Sequence, residues 1–119
     1  MDEGRISLWI HRHDSRYYYQ AYLFVLEALK YTQDLFNKER HVTGQELLVG
    51  ITRMAKEKFG ELAMAVFQEW GITCPRDFGN IVFNLVEMGE IKKTEEDSID
   101  DFDIDFDFQK ELKNVRHNL

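Results

Sequence analysis

The chain has one cysteine, one proline and no long apolar run in 119 residues. Cys74 standing alone excludes an intramolecular disulfide and a multi-cysteine metal site. With only Pro75 and seven glycines there is little material for long irregular segments. No window approaches the roughly 18 apolar residues of a membrane span. Arg5, His11, Arg12, Asp14 and Arg16 break up the region where a secretory signal core would lie, so a cytoplasmic protein is expected. Residues 94 to 107 contain no base at all.

That last stretch instead contains eight acids: Glu95, Glu96, Asp97, Asp100, Asp101, Asp103, Asp105 and Asp107. The net charge of −7 is therefore local, because the remainder of the chain carries 14 acids against 15 bases. From Asp101 to Phe108 acidic and apolar residues alternate with a period of two. An extended chain would turn Phe102, Ile104, Phe106 and Phe108 to one face and the aspartates to the other. Glu90-Ile91-Lys92-Lys93 supplies a second short strand pattern, so a C-terminal hairpin is expected.

Upstream the apolar spacing is helical. Tyr22, Val25, Leu26, Leu29 and Phe36 predict a helix over 18–37, with Leu23, Phe24, Tyr31 and Leu35 adding a second apolar flank. Thr43-Gly44-Gln45-Glu46 is a capping box that opens a second helix, closed by Gly60. Leu62, Ala63, Val66, Phe67 and Trp70 mark a third, closed by Gly71. Pro75 opens a fourth, with Phe78, Ile81, Val82, Leu85 and Val86 inward and Gly89 at its end. Ile6-Ser7-Leu8-Trp9-Ile10 is an apolar island that reads as an edge strand or a docked tail. The expected fold is α+β, mainly α: a four-helix core with a C-terminal β-hairpin. The expected organisation is an N-terminal segment 1–16, one globular domain 17–108, and a tail or short helix 109–119.

Helices followed by a hairpin are compatible with a winged-helix-like arrangement. Its recognition helix would then turn Arg76, Asp77, Asn80, Asn84 and Glu87 to solvent, and its wing would carry carboxylates. Both repel phosphates, so charge disfavours direct binding of nucleic acid. A nucleic-acid binder would need a patch built from Arg53, Lys56, Lys58, Lys110, Lys113 and Arg116. Asp101-x-Asp103-x-Asp105 opens like a calcium loop but has Phe106 and Leu112 where that loop needs Gly and Glu. His11-Arg12-His13-Asp14 lacks the further ligands of a hydrolytic metal site. No metal site and no cofactor are expected. No phosphate-binding loop or nucleophile motif occurs, and Cys74 reads as a capping or buried residue. Arg40 and His41, ahead of the capping box, form a candidate anion-binding or catalytic corner at a helix N-terminus. The leading expectation is a non-catalytic interaction module, with Asp97, Asp101, Asp103 and Asp105 presented to a basic protein surface.

Several pieces in order resemble a family of small uncharacterised, conserved-hypothetical bacterial proteins. They are Tyr22-x-x-Val25-x-x-Ala28-Leu29-x-Tyr31-Thr32, Arg40-His41-Val42-Thr43-Gly44-x-Glu46-Leu47-Leu48, Trp70-Gly71-Ile72, Asp77-Phe78-Gly79-x-Ile81-Val82-Phe83-Asn84-Leu85-Val86 and Lys93-Thr94-Glu95-Glu96-Asp97-Ser98. The resemblance spans about residues 17 to 108. It implies a bacterial, cytoplasmic, single-domain protein and no particular chemistry.

Overall fold

Helix α2 (Tyr19–Leu35) is the element around which the others pack, touching α1 (Glu3–His13), α3 (Gly44–Phe59) and α5 (Pro75–Glu87). Its two apolar flanks explain that position: Ala21, Tyr22, Phe24, Val25, Ala28 and Thr32 are all buried. A turn of 3₁₀ helix (Gly60–Leu62) leads into α4 (Ala63–Glu69), and α6 (Phe108–Lys113) closes against α3 and α4. The computed structural model describes residues 3–37, 42–92, 102 and 108–113.

Local signals set the helix ends. The Thr43 hydroxyl accepts from the Glu46 N–H at 3.0 Å, and the Glu46 carboxylate accepts from the Thr43 N–H at 3.0 Å. Leu47, Leu48, Ile51, Met54 and Ala55 then face the core. The α2–α3 crossing is close because Gly50 has no side chain. A Cβ there would fall 1.7 Å from the Thr32 hydroxyl oxygen. The Thr32 hydroxyl itself turns back to the Ala28 carbonyl at 2.6 Å, within its own helix.

An aromatic cluster fills the space between α2, α4, α5 and α6. Phe67 lies 5.1 Å from Phe78, 5.5 Å from Phe108 and 5.9 Å from Phe24, edge to face in each case. Such pairs add about 0.5–1.5 kcal/mol each beyond the burial of their surfaces. Phe59 and Trp70 extend the cluster, both against Phe24 and Trp70 also beside Phe67 at 6.2 Å.

The expected α+β fold with its C-terminal hairpin is corrected: the described residues are helical and contain no strand. Two observations overturn it. The first strand was expected at Glu90-Ile91-Lys92-Lys93, of which Lys93 lies outside the described residues, but the N–H groups of Glu90 and Ile91 both turn back to the Leu85 carbonyl, at 2.9 and 3.4 Å. Backbone donors spent on closing α5 cannot join a ladder. Phe108, the last residue of the expected second strand, begins α6. The winged-helix arrangement loses its wing with the hairpin.

Phe102 and Phe108 are buried as the alternation suggested, yet they dock on helices rather than through sheet pairing. Phe102 sits over Gly79, where a Cβ would fall 2.9 Å from its ring. The N-terminal island also differs from the expected strand or tail. It is helix α1, with Ile6 fully buried and Trp9 and Ile10 partly so. Residues 6, 9 and 10 fall on one helical stripe.

Candidate functional site

On α5, Asp77, Asn80 and Asn84 recur at intervals of three and four, so they share one face of the helix. That polar stripe meets the segment joining α1 to α2. The Tyr17 hydroxyl donates to Asp77 Oδ1 at 2.6 Å and accepts from Asn80 Nδ2 at 2.9 Å. The Asn84 amide donates one hydrogen to Asp14 Oδ2 at 2.9 Å and the other to the Tyr22 hydroxyl at 3.0 Å. Asp14 is held in turn by Arg16, whose Nε and Nη2 approach it at 2.9 and 2.7 Å. Asp77 Oδ2 also accepts from the Thr73 and Cys74 N–H groups, at 2.8 and 3.1 Å. This is the helix-opening arrangement of a carboxylate at the third position bonding back to free backbone donors.

The electrostatics follow from these bonds. Hydrogen bonds from Arg16 hold the Asp14 carboxyl far below the usual carboxylate range, and Asp14 raises the Arg16 guanidinium in return. Burial acts to raise the Asp77 carboxyl, but the bonds from Tyr17, Thr73 and Cys74 together overcome it and leave it lowered. Burial pushes the Tyr17 phenol up, and donation to Asp77 adds to the shift. Tyr22 is raised by burial as well. At neutral pH both aspartates are ionised and both tyrosines are neutral. The seam ties the α1–α2 connection to α5.

The winged-helix alternative turned Arg76, Asp77, Asn80, Asn84 and Glu87 to solvent, and of these Arg76 and Glu87 are exposed. Asn84 is 6% exposed, and the other two are partly buried against Tyr17. No local signal marked them, because the partners of Asn80 and Asn84 lie 62 to 70 residues away in the chain. Of the expected site residues, Arg40, His41, Asp97, Asp101, Asp103 and Asp105 lie outside the described residues. The α3 N-terminus that was to serve Arg40 and His41 already holds the Glu46 carboxylate. His13 stacks on Trp9 of its own helix, with ring centroids 4.6 Å apart. Exposed Cys74 sits at the start of α5 with its thiol 3.6 Å from Asp77 Oδ2. In the suggested basic patch, Lys58 pairs with Glu27 at 2.8 Å. Among the described residues no group of three or more His, Cys, Asp or Glu side chains could hold a metal ion. No described helix is long and apolar enough to cross a membrane.

The fold and the seam together define a small helical domain pinned by an internal polar network. No protein-family model, no curated protein and no solved structure matches the chain.

Proposed function

We propose that the protein is a non-catalytic interaction module of the bacterial cytoplasm, whose acidic block captures a basic surface on a partner protein. The observation that carries this reading is the segregation of charge: eight acids and no base in residues 94–107, against near balance elsewhere. Segregated charge steers encounter with a complementary surface and makes association sensitive to salt. Two buried phenylalanines support it further. Phe102 lies within the acidic block and Phe108 directly after it, and both are sunk into the helical body. At roughly 1.5–3 kcal/mol for each fully buried side chain, these anchors tie the block to a rigid platform. The intramolecular bonding of Asp14, Tyr17, Asp77 and Asn84 supports the non-catalytic part.

The test is affinity capture from native extract with the wild-type chain and with an Asp101→Asn, Asp103→Asn, Asp105→Asn variant of unchanged melting temperature. The captured proteins that drop out are expected to be basic, to elute as salt rises, and to bind the variant about ten-fold more weakly at low salt. Capture of the same set by both proteins, or loss only of partners without basic surfaces, rejects the reading.

A further inference from the structure

Helix α1 is attached to the body differently from every other long helix. Its one fully buried side chain is Ile6, with Trp9 and Ile10 partly buried beside it. Leu8 is half exposed, and His11, Arg12 and His13 face water. Two polar clasps hold its ends. At the N-terminal end Arg5 donates to the Met88 carbonyl and pairs with Glu90 at 3.3 Å. Just past the C-terminal end Asp14 accepts from Asn84.

Both clasps give way to water when α1 lifts. Arg5 is 57% exposed, and the Glu90 carboxylate, 13% exposed while paired, meets water as Arg5 leaves. Asp14 keeps Arg16, which is two residues away and bonds it through backbone and side chain. Asn84 keeps the Tyr22 hydroxyl. The next residues along the chain are fixed independently of α1. Tyr17 is buried and bonded to Asp77 and Asn80, and the Tyr18 N–H donates to the Trp70 carbonyl at 3.2 Å. Exposed Ser15 lies between the part that would move and the part that stays.

We propose that α1 is a hinged cap that opens as a unit about the Asp14–Tyr17 connection, uncovering the apolar seat of Ile6 while α2 to α5 remain closed. Such sub-global openings occupy the low end of a protein's range of opening free energies. The cap makes the ground beneath Ile6 conditionally accessible, a property independent of the acidic block.

Native-state hydrogen exchange on the full chain tests it. An 11-residue helix lifted from its seat is marginal in water and unravels, so amides from Ser7 to Asp14 are expected to share one protection factor, about a hundred-fold lower than those of Leu48 to Ala55 in α3, with a weaker dependence on denaturant than α3 shows. Arg5→Ala, at an exposed position, should speed exchange in α1 about five-fold and leave α3 unchanged. Three results overturn the proposal. One is exchange of α1 together with α3. Another is a rate graded from the chain end, which marks fraying. The third is an Arg5→Ala variant with no selective effect on α1.

Discussion

Helix α2 meets α3 and α5 by different chemistry. Where it crosses α3, shape decides the contact: Gly50 admits Thr32, and the polar pairs Tyr31–Glu57 and Lys58–Glu27 stand only at the exposed rim. Toward α5, directed bonds decide it: Tyr22 to Asn84 beneath, and Tyr17 to Asp77 and Asn80 just before the helix begins. A shape-fitted contact fails when volume is wrong, whatever the pH or salt. A bonded seam fails when one partner is removed and the other is left buried and unsatisfied. The two sides of one helix should therefore respond to different perturbations.

The largest effect belongs to the packed side. Phe67 is fully buried and touches rings from α2, α5 and α6, besides Trp70 of its own turn. Phe67→Ala should cost about 3–5 kcal/mol, a large part of the stability of a domain this size. Urea denaturation should give the same loss at pH 7 and at mildly acidic pH, because the rings packed on it from Phe24, Trp70, Phe78 and Phe108 do not titrate. A loss that changed with pH would show that the two regions are coupled and undo the comparison.

Next in size is the seam. Asn84→Ala removes both bonds at once, leaving the buried Tyr22 hydroxyl without its donor and Asp14 Oδ2 with Arg16 alone. The expected cost is about 2–3 kcal/mol. Tyr22→Phe, which removes one acceptor and keeps the ring, should cost only about 0.5–1.5 kcal/mol. Equal costs for the two variants would mean that the bond from Asn84 to Asp14 adds nothing to the seam.

The packed side was the legible one. The stripes on α2 (all but Leu35 and Phe36, which are exposed), α3 and α5, the Thr43–Glu46 box and the helix ends at Gly60, Gly71 and Gly89 follow from spacing and from residue chemistry that acts within a few positions. The seam was not legible, because Asn84 finds its partners 62 and 70 residues away. An asparagine on a helix looks the same whether it faces water or a buried tyrosine. The alternating run misled for a related reason. A period of two marks a strand only if a neighbouring strand accepts its backbone, and the expected neighbour had already committed its N–H groups to Leu85. Phe102 and Phe108 still found burial, over Gly79 and among Phe67 and Phe78, since apolar burial needs contact and no particular backbone.

The smallest effect separates the two regions by acid alone. Asp14 and Asp77 both have folded-state pKa values below the ordinary carboxylate value. Each therefore contributes stability that is fully present above the unfolded-state pKa of about 4 and is lost as pH falls from about 5 through the lowered folded-state value. Arg16 keeps a 60% exposed side chain, so solvent screens its pairing with Asp14 and limits that share. Asp77 receives its bonds from Tyr17, Thr73 and Cys74 in a partly buried place and contributes its own share of the dependence. Asp77→Asn cannot ionise, so its melting temperature should fall less between pH 7 and pH 3 than that of the wild type. Phe67→Ala, if it still folds, should keep the wild-type slope. A wild-type slope retained by Asp77→Asn would move the acid sensitivity away from the seam, and a flattened slope in Phe67→Ala would place it in the packed core.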